Sequence, residues 1–194
     1  GNAATDTLSF AGGLTATAPA AISVAGSLGT TNAAMSLGDN NTALTLTANV
    51  TLNTTGGNLT LGGAVNGTTA NTESLSLNAG TTGAVSVTGA VGQSTSLKTL
   101  TLSNSYGATF SSPVSTGTSV VLSDTVAGQV VRFADNLSTP TLTTTAHGYH
   151  LELLGSTTSI TDTGAATTFL HTGNLVLGNA ATDTLSFAGG LTAT

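Results

Sequence analysis

The histidines come closest to forming a site. In His147-Gly148-Tyr149-His150-Leu151-Glu152, two imidazoles and a carboxylate fall within six residues. Neutral imidazole together with carboxylate is a ligand set for zinc and other first-row metals. In an extended chain successive side chains alternate sides, so His147 and His150, three apart, point opposite ways. His150 and Glu152, two apart, share a side. His171 would complete a three-ligand set if the chain returned to place it beside them. The plainer expectation is polar decoration of a strand. No metal site is therefore predicted, and His150, Glu152 and His171 are the residues on which one would have to be built. No cofactor is expected.

Four aspartates stand in the same setting, Thr-Asp-Thr or Ser-Asp-Thr, at Asp6, Asp124, Asp162 and Asp183. Such carboxylates could hold calcium between turns, but the G-G-x-G-x-D signature of calcium-binding repeats is absent. Asp beside Thr at the end of a short strand more simply caps a turn.

Catalysis finds little material. The eight acids are scattered singly, whereas glycoside hydrolysis needs two carboxylates set close together. Platforms for sugar rings are scarce, with five Phe, two Tyr and no Trp. No nucleophile elbow, phosphate loop or dinucleotide fingerprint occurs. A polysaccharide-active enzyme is thus a remote alternative, and no enzyme is expected. Thr-x-Thr pairs at Thr45/Thr47, Thr99/Thr101 and Thr141/Thr143 raise ice binding. Their uneven spacing leaves gaps in any regular array.

The elements that carry these residues are short strands. Apolar, small polar, apolar triplets recur along the whole chain, as in Ile22-Ser23-Val24, Met35-Ser36-Leu37, Leu59-Thr60-Leu61, Val85-Ser86-Val87 and Leu151-Glu152-Leu153. Alternation places the outer two residues on a buried side and the middle one in water. Gly, Asn, Asp and Ser clusters between triplets are turns. Nothing sustains a helical period, and Thr, Ser, Asn, Gly and Val are indifferent or poor helix formers.

A longer period overlies the triplets. Residues 59–77 align with 85–102, a shift of about 23–26 residues. Strands this short bury a core only by stacking coil upon coil. The predicted fold is all-β, a parallel β-solenoid (β-helix) with about 25 residues and two or three short strands per coil. Tandem β-sandwich modules are the competitor, and they fit the 25-residue self-similarity poorly. With 39% hydrophobic residues, the chain can fill a continuous core.

The first seventeen residues, GNAATDTLSFAGGLTAT, return unchanged as residues 178–194. Residues 1–177 then read as one repeat unit of about seven coils, advancing about 34 Å at the ordinary strand spacing. Residues 178–194 begin the next. The phrases "LTLGGAVNGTT", "ESLSLNAGTTGAVSVTGAVGQSTSLKTLTL" and "DTLSFAGGLTAT" resemble the repeat regions of giant exported bacterial proteins. These are the filamentous-haemagglutinin-like and autotransporter-like adhesins. The resemblance implies a right-handed parallel β-helix, secretion, and a role outside the cell or on its surface.

Charge narrows the partners. Net charge is −6 with only Lys98 and Arg132 as cations, so nucleic acid is excluded as a partner. No apolar run is long enough for a membrane-spanning helix. No cysteine is present, so no disulfide forms. The expected function is a structural repeat of an extracellular fibre, sheath or adhesin stalk, with neighbouring copies of the same repeat as partners. Low charge also favours lateral or end-to-end self-association. A receptor-binding adhesin is the main alternative, with Tyr106, Tyr149 and His150 as its candidates for a sticky face.

Overall fold

The computed structural model describes residues 1–193, so the second copy of the seventeen-residue segment is described through Ala193. Every regular element among them is a β-strand, and the strands pair in parallel. The chain is a β-solenoid of about eight turns with roughly 23 residues per turn. The expected 25 rests on residues 59–102, where coils of 25 and 26 residues exceed the average. Leu59 pairs with Val85, 26 residues on, whereas Val131 pairs with Leu151, only 20 on.

Three strand columns run the length of the stack, and each is named here by an early member. On the Ile22 face, Ile22, Leu44 and Val65 pair in succession, and the column continues through Val91, Val114, Leu137 and Thr158. On the Leu28 face, Leu28, Leu52, Leu77, Leu102 and Leu122 form one rung line. On the Met35 face, Leu14, Met35, Leu59 and Val85 begin a line that ends at Leu151 and Leu175. The chain visits the faces in the fixed order Ile22, Leu28, Met35. Between the first two it bends without leaving the strand in Ala21–Thr30, at Gly26 (φ 74°), and within Ala43–Asn53 and Val114–Leu122, whereas in other coils the strand ends and a turn intervenes.

The triplets behave as their alternation dictates. In Leu59–Leu61 and Val85–Val87 the outer residues are buried and the middle one is partly exposed. The inward residues merge into one apolar cluster along the axis, flanked by Leu8, Phe10 and Leu14 at one end and by Leu175, Leu177 and Phe187 at the other. Each fully buried Leu or Val contributes about 1.5–3 kcal/mol, which no isolated three-residue strand could collect. Phe110 and Phe133 sit on one rung line and stack with centroids 4.7 Å apart and planes 6° from parallel.

Side chains also tie coil to coil. Hydroxyls of Thr55, Thr82, Ser112 and Thr141 donate to carbonyls of Thr30, Gly56, Thr88 and Thr118 in the coil before, at 2.6–3.2 Å. The side-chain oxygens of Asn49, Asn58 and Asn136 accept backbone N–H groups of Ser74, Ala84 and Thr157 in the coil after, at 2.8–3.0 Å. These bonds satisfy corner groups that the strand ladders leave free.

Among the described residues the ladder breaks on the Leu28 face. Thr141–Thr144 pairs with the coil before it but not with Thr167–Phe169 after it. The Thr144 hydroxyl bridges the two, accepting from the Leu170 N–H at 2.8 Å and donating to the Thr168 carbonyl at 3.4 Å. A recess of about 260 Å³ opens there, its lining shared between apolar side chains such as Leu142, Ile160 and Leu170 and threonines such as Thr143 and Thr168.

Candidate functional site

The strand His150–Leu153 lies on the Met35 face. Leu151 and Leu153 point inward, and Tyr149, one step earlier in the same parity, is fully buried. His150 and Glu152 therefore share the outer side, as their spacing requires. Glu152 is paired across one rung with Arg132, whose Nε donates to it at 2.6 Å. His150 accepts the Asn174 N–H on Nδ1 at 2.7 Å.

His171 is not with them. Its ring is in the core, 5 % exposed, stacked on Tyr149 and edge-on to Phe169. Neither of its nitrogens has a hydrogen-bond partner among the described residues. Burial holds its pKa below the ordinary histidine value; the Asn174 backbone opposes this and the nearby His150 adds to it. Phe169 and Phe187, edge-on to each other, extend the aromatic group toward the second copy. The three candidate ligands thus divide between the outer surface and the interior. Among the described residues no three His, Cys, Asp or Glu side chains are grouped to hold a metal ion. His147 instead faces Asp124, Nδ1 to carboxylate 3.2 Å, at the exposed surface.

Three of the four candidate aspartates hold turns, whereas Asp124 faces His147 instead. Asp6 accepts the N–H groups of Asn2 and Ala3 at 2.8 and 3.1 Å, and those two bonds hold its carboxyl below the usual range. Asp183 accepts from Asn179 and Ala180 at 2.7 and 2.9 Å. Asp162 accepts the Gly164 N–H at 2.8 Å.

One carboxylate escaped the sequence reading. Glu73 is 4 % exposed, accepting the Thr68 hydroxyl at 2.6 Å and the Thr69 N–H at 3.3 Å. Burial pushes its pKa up, but these bonds outweigh that and leave it below the ordinary glutamate value. Its signal was parity, since Glu73 lies two residues before the inward Leu75. Its bonds close the turn that follows Val65–Gly67.

Of the expected sticky-face residues, Tyr106 stands in solvent at 47 % exposure, while Tyr149 is buried and corrects that expectation. The reason is again parity with Leu151. The Thr-x-Thr pairs do not form one array. Thr99/Thr101 and Thr141/Thr143 stand on the Leu28 face with Ser119 and Val121 between them, whereas Thr45 is on the Ile22 face.

Comparison with protein families, with characterised proteins and with solved structures returned no match. The exterior itself repeats from coil to coil. On the Met35 face the outward line reads Thr15, Ser36, Thr60, Ser86 and Thr109, then Arg132, Glu152 and Val176.

Proposed function

We propose that residues 1–177 are one structural unit of a long fibre, sheath or adhesin stalk outside a bacterial cell, acting by length, stiffness and resistance to proteolysis. The observation that carries this reading is the junction. The second copy is laid on the coil before it by ordinary backbone rungs: Gly178 N–H to Leu153 O at 2.8 Å, Thr184 N–H to Ser156 O and Ala188 N–H to Ile160 O, both at 2.9 Å. A linker between beads would leave those groups unpaired.

Two further features support it. Both sites that trypsin could cut, Lys98 and Arg132, lie inside paired strands, Leu97–Asn104 and Val130–Phe133. Cleavage there requires local unfolding, which costs a fraction of the global stability. Low charge also leaves little repulsion between rods, which favours lateral or end-to-end association of copies.

Electron microscopy of the material in which the repeat occurs tests the proposal. A continuous rod with a coil rise of about 4.8 Å and a unit repeat of about 37 Å is expected. Beads on a flexible string would overturn it. The receptor-binding alternative has one observation in its favour, the exposure of Tyr106, the most exposed aromatic among the described residues. Loss of cell-surface binding in Tyr106→Ala, with the rod intact, would favour that reading.

A further inference from the structure

The two copies of the repeated segment do not occupy equivalent places around the coil. In the first copy Leu8 pairs with Leu28 on the Leu28 face, and Leu14 pairs with Met35 on the Met35 face. In the second copy Leu185 pairs with Thr158 on the Ile22 face. Leu191 pairs with Thr167, in the strand beyond Thr144 on the Leu28 side. The same residues stand one face out of step.

The segment nonetheless keeps its shape. Asp6 and Asp183 cap the same turn on the same two N–H groups. The N–H of each donates to the carbonyl three residues back at 3.1 Å. Thr7–Phe10 and Thr184–Phe187 show the same alternation of exposure. The local conformation thus comes from the segment, and the face it joins comes from how many faces the chain has already run. From Leu8 the chain passes seven full coils and two more faces before it reaches Leu185. The recurrence is therefore not a whole number of coils.

We propose that consecutive units join with a rotation of one face, about a third of a turn around this three-sided coil. A residue then returns to the same side of the rod at every third unit. Each side of the rod shows the Ile22, Leu28 and Met35 faces in succession. Backbone rungs are indifferent to side-chain identity, and all three faces point apolar residues inward, so the ladder accepts the change of face. The Arg132–Glu152 pair winds around the rod, advancing about 37 Å per unit at the usual strand spacing. A neighbouring rod meets the same composite surface from whichever side it approaches. This inference rests on the reading of the chain as a unit of an array.

Engineered cysteines test it in the chain as it stands, which has no other cysteine. Facing residues on adjacent strands lie within disulfide reach. Ser159→Cys with Ser186→Cys should oxidise to a disulfide, because those residues are partners on the Ile22 face. Thr168→Cys with Ser186→Cys should not, although it would if the second copy followed the first onto the Leu28 face. Ser36→Cys with Thr60→Cys, partners on the Met35 face, is the positive control. A disulfide in the Thr168 pair, or in neither test pair while the control forms, overturns the proposal. For a chain of three units, gold labels on Lys98→Cys should advance around the rod by a third of a turn per unit. Labels along one side overturn the rotation alone. Separate beads overturn the reading of the array.

Discussion

Tyr149 and His171 stack inside the coil, ring centroids 5.2 Å apart and planes 14° from parallel. The imidazole has no hydrogen-bond partner among the described residues, and burial holds its pKa below the ordinary 6.5. Above 6.5 both folded and unfolded chains keep it neutral, and nothing is lost. Below that pH the unfolded chain takes up a proton that the folded chain resists, so stability falls until the folded pKa is passed. His171→Phe should remove this acid-sensitive part of the stability and leave the stability at about pH 8 unchanged or higher. Urea midpoints measured across the acid range for both proteins check it. An unchanged pH slope in His171→Phe would count against the buried neutral ring.

Tyr149 gives the opposite limb. Burial pushes its pKa from 10.0 up to about 12. A raised pKa contributes stability that is fully present below the unfolded value and lost as pH rises toward the folded one. Alkaline unfolding should therefore steepen between pH 10 and about 12. Tyr149→Phe should blunt that loss. Its cost near neutrality should be under about 1.5 kcal/mol, because it removes a single hydrogen bond. That bond is long, 3.5 Å to the Leu122 carbonyl. Absorbance of the ionising phenol, followed beside circular dichroism, separates titration from unfolding.

Phe133 and Arg132 are neighbours in one strand with opposite surroundings. Phe133 is 1 % exposed and stacked on Phe110, so Phe133→Ala should cost about 3–5 kcal/mol. Arg132 reaches Glu152 at the surface with its side chain 44 % exposed, so Arg132→Ala should cost at most about 1 kcal/mol, less in high salt. Comparable losses from the two, measured by chemical denaturation, would contradict the placement of the core.

Gly92 and Gly128 both have positive φ, 70° and 78°. A Cβ at Gly92 would lie 2.1 Å from the Ser115 carbonyl oxygen, whereas one at Gly128 would meet nothing within 4 Å. Gly128→Ala should therefore pay only for the left-handed backbone, about 1–2 kcal/mol. Gly92→Ala should cost more, because the coil beside it must shift. Thermal unfolding of the two variants ranks them directly.

The triplets were legible because their information is local: Leu59-Thr60-Leu61 states which side is wet without reference to any other coil. The coil length was less so, since Val131 and Leu151 are closer in sequence than Leu59 and Val85 and only the ladder reveals it. Tyr149 and His171 carried a signal that residue type obscured. Each stands two residues from an inward apolar side chain, Leu151 and Phe169, and parity outweighed polarity at both. The recurrence of Gly1–Thr17 was plain in the letters, but the face it joins was not. Azimuth accumulates over every turn of the chain, and no segment records it.

The ties between coils share a direction at most corners. Thr55, Thr82, Ser112 and Thr141 give a proton to a carbonyl already passed, and Asn49, Asn58 and Asn136 wait for an N–H still to come. A chain delivered amino end first, from a ribosome or through a pore, would find these acceptors in place when the matching donors emerged. The newest coil is then both product and template, and the molecule can be laid down like rope, each loop seated on the one beneath.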